Sequence, residues 1–363
     1  YIEADTKPLS PDNVIFYLTG PLTGTLAPAF RSCLVTRSPL TNTWLDSYFG
    51  GHFGQGIKYA GYDALIIKGK AESLTYITID DNEIKFHNAD QLKNNKVSKK
   101  KKRLKEKHGD NFRISCIGPA GENLVRYAMV TCEPKRQAGR GGAGAVMGSK
   151  NLKAVAVKGS NLIEVANNDK FLQAVNKAYQ ELKDSDSIRS LTQEGTPSSI
   201  PFANNIGMLP NQNYKYGQFA GSEQLESNEQ RNTFWQRNIA CSGCPIACGK
   251  IGKVFKGKFE GLVLDTVEYE TLGLIGANLG ISDMNYIIKI ANLCDELGLD
   301  TISTGGALGF AIEAANKSNK QFLNNDQLEF NNPKYMVKMI EDIAKRKNTL
   351  GDLLAEGVKR ASQ

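Results

Sequence analysis

The chain has 363 residues, 45 Lys+Arg against 38 Asp+Glu, a formal charge of +7, 40% hydrophobic residues, seven cysteines and three histidines. At this length one core nears its limit and two domains are the default, while the composition excludes a mostly disordered or fibrous chain. No apolar run reaches the roughly 18 residues of a membrane span, and the opening YIEADTKPLSPDN has neither the basic nor the apolar region of a secretory signal.

Residues 1–160 read as β-rich, with β-branched or apolar runs at Val14–Thr19, Cys33–Thr36, Ala64–Lys68, Leu74–Ile79, Ile84–His87, Arg113–Ile117, Val125–Thr131 and Lys153–Lys158. Asp80-Asp81-Asn82 between two alternating runs predicts a hairpin. With long intervening helices missing, packed antiparallel sheets are expected rather than a βαβ layout. Lys93–Lys107 holds nine basic residues and one acid, Glu106, leaving the rest of the chain at about −1. Without interleaved aromatics it reads as a solvated helix, and no nucleic-acid partner is expected.

Residues 161–363 read as mainly helical: Asp169–Leu182, Ser282–Leu297, Lys334–Arg346 behind the Asn332-Pro333 cap, and Leu350–Ala361. The fold class is therefore α+β, a β-rich domain followed by a helical one.

Cys241, Cys244 and Cys248 form CxxCxxxC. On a turn leading into a helix, this spacing lets three sulfurs converge on an iron–sulfur cluster. Zinc is the rival, although no histidine follows His108 to serve as a local ligand. A cluster of this kind, with an odd cysteine count, fits a reducing cytoplasm. Arg136–Gly148 is rich in glycine and holds Arg136 and Arg140, which fits an anionic cofactor, and a helical turn would put the two arginines on one face. Asp295-Glu-Leu-Gly298-Leu299-Asp300 ends a helix at Gly298, so its acids are either helix punctuation or acceptors for a ligand's N–H groups. Glu268-Tyr269-Glu270 precedes an apolar helical pattern, Leu272–Leu279; a buried carboxylate there suits general acid–base work, and a helix N-terminus also favours acids.

Together these motifs resemble the aldehyde:ferredoxin oxidoreductase family of tungsten, sometimes molybdenum, pterin enzymes. The marks, in order, include Thr19-Gly-Pro-Leu-Thr-Gly-Thr25, Gly50-Gly51, Ile117-Gly-Pro-Ala-Gly-Glu-Asn123, Ala138-Gly-Arg-Gly-Gly142, Met147-Gly-Ser-Lys-Asn-Leu-Lys153, CxxCxxxC, Glu268-Tyr-Glu270, Ala277-Asn-Leu-Gly280 and Asp295–Gly305. The resemblance implies a bis-pterin tungsten or molybdenum centre beside a [4Fe-4S] cluster, oxidising an aldehyde to a carboxylic acid with ferredoxin or an electron-transfer subunit as acceptor. The pterin would lie on the β-rich domain and the cluster cysteines on the helical one. It implies that Arg31, Gly50, Arg136, Gln137, Gly139 and Arg140 contact pterin or its phosphates. Asp295, Leu299 and Asp300 match the family's DxxGL motif, whose acid side chains accept pterin N–H bonds, Cys241, Cys244 and Cys248 match three cluster ligands, and Tyr269 and Glu270 match the proton-moving site. A homo-oligomer or a larger redox complex is the expected assembly.

Departures are Tyr48, where the family often carries Asn, with Phe49 beside it, Phe30 in place of Gly, and Lys289 where a bridging metal pair is expected. The bulky Tyr48 loop motivates an alternative, the catalytic subunit of a class II benzoyl-CoA-reductase-like complex. The family's C-terminal domain, with a second pterin motif, the fourth cluster cysteine and a histidine, is expected to lie outside this sequence, which motivates a second alternative, a cluster-only electron-transfer or binding module.

Overall fold

The structure is a computed structural model that describes residues 2–133, 135–265, 267–318 and 328–363. The chain divides into two compact units that do not follow sequence order. The first takes Tyr1–Asp184, Ala240–Pro245 and Asp295–Leu299; the second takes Ser185–Ile239, Ile246–Cys294 and Asp300–Gln363. Three stretches expected in a helical second domain (161–184, 240–245 and 295–299) thus belong to the first unit.

The first unit is built on two sheets. Strands β1 (Ile15–Leu18), β2 (Ser32–Arg37) and β3 (Trp44–Phe49), then helix α1 (Phe53–Tyr59) and strand β4 (Ala64–Ile67), give an antiparallel sheet in the order β3-β2-β1-β4. The second sheet collects β5 (Thr75–Asp80), β6 (Glu83–Asn88), β7 (Arg113–Ile117), β8 (Val130–Cys132), β9 (Arg136–Ala138) and β10 (Leu152–Lys158), in the order β6-β5-β10-β7-β8-β9. Helices α2 (Val97–His108), α3 (Pro119–Glu122) and α4 (Ala143–Ser149) interrupt these strands, and α5 (Asn168–Asp184) follows them. The expected Asp81-Asn82 turn joins β5 to β6, with Asp81 at φ 49°. One pairing departs from the antiparallel expectation: β10 runs parallel to β5, because 71 residues separate them and give room for a crossover.

The two-residue period of the strands decides what each face packs against. Ile77, Ile79, Ile117, Val130, Cys132, Val155 and Val157 face Tyr17, Leu34, Phe49, Phe53 and Ile57 in one core. The alternate residues Tyr76, Ile114, Cys116, Ala154 and Ala156 face α2 through Val97 and Leu104. Tyr17 Oη shares a 2.9 Å hydrogen bond with Ser115 Oγ inside the first core. Burial pushes the Cys132 thiol up to about 12 and raises Cys116 and Cys33 as well, so these cysteines are protonated packing residues.

α2 is helical as expected, yet not a wholly solvated one. Lys100 is fully buried and pairs with Glu122 while donating to Ile117 O at 2.7 Å; Lys153 reaches the same carboxylate at 3.4 Å. A long aliphatic stem lets one lysine of the run serve as an inward anchor.

The second unit is mainly helical. It contains α6 (Asp186–Glu194), α7 (Ile200–Asn205), α8 (Ser227–Thr233), a three-stranded sheet β11 (Trp235–Ile239), β12 (Gly249–Lys253) and β13 (Val263–Asp265), and the single turn α9 (Tyr269–Thr271). After α10 (Met284–Leu297) come α11 (Thr301–Lys317), α12 (Pro333–Ala344), α13 (Asn348–Ala355) and α14 (Val358–Ala361). Asn332 caps α12 by accepting from Tyr335 N, as expected. The continuous pattern Leu350–Ala361 breaks in two, because Gly357 adopts φ +83° and ends the helix. Leu272–Gly276 is a π-helical turn followed by a 3₁₀ turn, instead of the regular helix its apolar pattern predicts. No helix among the described residues is long and apolar enough to cross a membrane.

Candidate functional site

In the first unit, segments distant in sequence meet around the turn that leaves β3. Gly50 and Gly51 make that turn, and residues 240–245 lie against it: Ser242 N donates to Gly51 O at 3.2 Å. A Cβ on Gly50 would stand 2.6 Å from Cys241 Sγ and 3.9 Å from Arg136 Cγ, so only glycine admits the thiol and the arginine together. Cys244 N donates to Cys241 O at 3.1 Å, closing a tight turn through Gly243 at φ +68°. Tyr179 Oη ties Gly243 O and Leu26 O to α5. His52 N donates to Glu133 O at 3.0 Å. Burial first, and the Arg113 charge second, hold the His52 imidazole below its usual range.

The cysteine turn connects β11 to β12 instead of opening a helix. β-pairing on both sides, Ile239 with Gly249, closes a hairpin loop over the eight residues Cys241–Cys248. Cys241 and Cys244 accordingly belong to the β-rich unit and Cys248 to the helical one, correcting the expectation that all three ride on the helical domain. Cys241, Cys244 and Cys248 are each half-buried. Among the described residues no three His, Cys, Asp or Glu side chains are preassembled as a metal site.

Arg136 and Gln137 lie on strand β9, so Arg136 and Arg140 do not share the face that a helical turn would give them. Pairing to β8 places Arg136 opposite Cys132 and Gln137 opposite Thr131. Successive residues then point to opposite faces: Arg136 towards Gly50, and Gln137 to Asp295, where Gln137 Nε2 donates to Asp295 Oδ1 at 3.0 Å. Leu299 is buried and bridges Ala128, and Met129 N donates to Gly298 O at 2.9 Å. Gly298 ends α10 at φ +77°, as its position predicts. Gly118 lets this turn approach, since a Cβ there would fall 2.2 Å from Leu297 O. Gly139 faces open space, while Arg140 and Arg31, just before β2, are exposed. Tyr48 is 56% exposed, opposite Cys33; its neighbour Phe49 turns into the core.

Tyr269, Glu270 and Asp300 belong to the second unit. Glu270 is exposed in the first turn of α9, so of the two readings the helix N-terminus matches its position and the buried carboxylate does not. Burial, then the Glu270 charge, raises the Tyr269 phenol. Glu268 accepts from Thr196 Oγ1, and Tyr269 N donates to the same hydroxyl at 3.0 Å. Asp300 caps α11, accepting from Ile302 N, Ser303 N and Ser303 Oγ.

Glu133 is missing from the sequence-derived set. It is buried, with Oε1 on Lys105 Nζ at 3.2 Å and Oε2 without a partner, and its carbonyl holds His52. Its place between a β-strand and the arginine-bearing stretch is the one signal that pointed to it.

These features define an α+β chain whose β-rich unit gathers thiol, guanidinium, amide and carboxylate groups from four separate segments around close-approach glycines. Residues 1–159 match the family model for the aldehyde ferredoxin oxidoreductase N-terminal domain, and residues 173–363 match that for domains 2 and 3. The chain belongs to the aldehyde ferredoxin oxidoreductase family. It is similar to the tungsten-containing aldehyde ferredoxin oxidoreductase of Pyrococcus furiosus, at 40% identity over 100% of this chain and 60% of that protein. Its counterpart in Pyrococcus horikoshii is 39% identical over 99% of this chain and 60% of its own length. Among solved structures, the active-site complex BamBC of benzoyl coenzyme A reductase with 1,5-dienoyl-CoA matches with TM-score 0.81 and 26% identity, over 99% of this chain and 56% of that one. The chain therefore spans about 60% of the length of the curated relatives it matches.

The residues fit the groups this family implies. Thiols on a glycine-relaxed turn are the donor set of an iron–sulfur cluster. Open Gly139, the arginines and the amide–carboxylate pair Gln137–Asp295 suit a large anionic heterocycle.

Proposed function

We propose that this chain serves a tungsten or molybdenum bis-pterin oxidoreductase with a [4Fe-4S] cluster. It oxidises an aldehyde and water to a carboxylic acid, two protons and two electrons, which leave to ferredoxin or an electron-transfer subunit. One observation carries the proposal: Gly50, Arg136, Gln137, Cys241, Asp295 and Leu299, all selected from motifs far apart in sequence, belong to one unit and are linked by close contacts. When bound, the metallopterin supplies the two-electron redox chemistry, and the protein orients it and tunes its potential.

The chain's own groups divide the remaining work. Arg31, Arg136 and Arg140 offer forked donors to phosphates, with Gly50 admitting the Cys241 thiol and Gly139 leaving open space beside the arginines. Gln137 fixes one oxygen of Asp295, so the carboxylate is aimed to accept ligand N–H groups with its other lone pairs. Leu299 and the Asp300 cap fix the turn beyond it. Cys241, Cys244 and Cys248 supply three thiolates, the fourth ligand coming from elsewhere. Glu270 takes the proton released from water through a carboxylate oxygen, and the raised Tyr269 phenol stays protonated to donate a hydrogen bond. A reducing cytoplasm is the compartment this reading expects, since thiolate ligands and free cysteines suit it.

A second reading, reduction of an aryl-CoA ring, draws support from the likeness to the benzoyl-CoA reductase complex and from exposed Tyr48 in place of a small polar residue. Anaerobic purification with native partners, followed by metal analysis and assays with aldehydes and aryl-CoA thioesters, decides among the readings. Aldehyde turnover with tungsten or molybdenum and iron is the expected result. Ring reduction alone selects the second reading, and iron without tungsten or molybdenum leaves a cluster-only module.

A further inference from the structure

The basic helix α2 is linked to the cysteine turn through a relay of side-chain and backbone contacts. Lys105 Nζ meets Glu133 Oε1 at 3.2 Å, Glu133 O accepts from His52 N at 3.0 Å, and the adjoining Gly50-Gly51 turn holds Ser242 and backs Cys241. The helix is fixed in place: Val97, Leu104 and the buried Lys100–Glu122 pair face inward. Lys99, Lys102, Arg103 and Lys107 are exposed, with Lys102 3.8 Å from Glu106 and Lys107 over the Tyr76 ring at 5.4 Å. A segment of +8 in a chain otherwise near −1 is a local field, screened beyond about 8–10 Å, so it acts on whatever docks against it.

We infer that the outer face of α2 is the docking surface for a small acidic protein that exchanges electrons with the cluster. This rests on the functional reading above, and the relay Lys105–Glu133–His52 is what connects the helix to the turn that holds Ser242 and Cys241. A folded partner with clustered carboxylates fits better than the other polyanions. Apart from His108, whose ring packs among Tyr76, His87 and Phe112, the helix has no aromatic side chain on which a base could stack. Its apolar residues are buried, so it lacks the exposed apolar face of a membrane-surface helix.

The test uses the full protein and a variant carrying Lys99→Glu, Lys102→Glu and Arg103→Glu, all at exposed positions. Titration calorimetry with an acidic [4Fe-4S] ferredoxin at about 50 mM and 300 mM salt is expected to show affinity at low salt lowered at least about tenfold in the variant, with a flatter salt dependence. Circular dichroism checks that the fold is unchanged. A control set, Lys7→Glu, Lys68→Glu and Lys70→Glu, makes the same change of net charge at exposed positions outside the helix. Equal binding by variant and parent overturns the inference. So does a parent that binds phosphatidylserine vesicles or duplex DNA more tightly than the ferredoxin through these residues. Docking that persists in a protein free of iron, tungsten and molybdenum sinks the functional reading and leaves the surface standing.

Discussion

Gln137 donates to Asp295 across 158 residues of sequence, and β9 makes this possible by sending Arg136 the other way, towards Gly50. One short strand therefore serves two parts of the candidate site. In Gln137→Leu the half-buried Asp295 loses this donor, and urea unfolding should show a loss of about 1.5–3 kcal/mol, the range for hydrogen bonds to charged groups. Tungsten or molybdenum content should fall more than this cost explains, because the Asp295 carboxylate is no longer oriented by the Gln137 amide. Full metal occupancy in a destabilised variant would show that the pair is purely structural.

Gly50 and Gly139 form a matched pair for separating crowding from backbone effects. Neither has a positive φ, so alanine is conformationally acceptable at both. At Gly50 the added methyl meets Cys241 Sγ at 2.6 Å; at Gly139 it meets nothing within 4 Å. Gly50→Ala should displace the cysteine turn and lower iron per chain by half or more, an order-of-magnitude figure for a ligand pushed off its position. Gly139→Ala should leave iron and the unfolding midpoint unchanged. Iron determination on both proteins, prepared anaerobically, checks this directly.

The strands and helices with a clear hydrophobic period were legible in the sequence: β1, β2 and β4 to β7, the Asp81 hairpin turn, α5, α10 and the Asn332 cap. What was hidden depended on partners distant in the chain. β9 is three residues long and polar at two of them, so no periodicity marks it, and its pairing to Val130–Cys132 defines it. Trp44, Asp46 and Tyr48 point outward from β3, which left too few apolar residues to signal a strand. The cysteine turn looked like a helix start because Pro245 and the glycines suit either context; only the Ile239–Gly249 pairing shows the hairpin. Lys100 was indistinguishable from its neighbours until Glu122 was found beneath it. The site's residue types could be read from motifs, whereas the sorting of Cys241 and Cys244 from Cys248 between units could not.

That buried Lys100 carries its own prediction. Replacing it with Met removes the charge facing Glu122 and the donor to Ile117 O, while Lys153 remains 3.4 Å from the carboxylate. Breaking a buried pair by deleting one partner costs about 3–5 kcal/mol, and the remaining lysine should hold the loss near the lower end. Chemical denaturation measures the total, and hydrogen exchange should show α2 losing protection first. Lys99→Met, one position away on the exposed side, should cost less than about 0.5 kcal/mol.

The same helix ends in an imidazole cluster that makes stability depend on pH. His108 Nε2 and Tyr76 Oη are 3.0 Å apart, His87 Nε2 and Thr78 Oγ1 are 2.7 Å apart, and the His87 ring stacks on Tyr76 at 4.6 Å. Both imidazoles are held below their usual range, each first by burial. The Lys107 and Lys85 charges add to this for His87, and the His87 and Lys107 charges for His108. His52 is shifted the same way. A lowered folded value means that the unfolded chain binds protons more readily, so stability rises with pH through this window. It should be complete above the unfolded value of about 6.5 and decline as pH falls from there towards the folded values. Urea midpoints from about pH 7.5 to 5 should therefore drop on the acid side. The double variant His87→Gln/His108→Gln should flatten most of that slope, leaving the part due to His52. An unchanged slope in the double variant would assign the whole effect to His52 and the carboxylates.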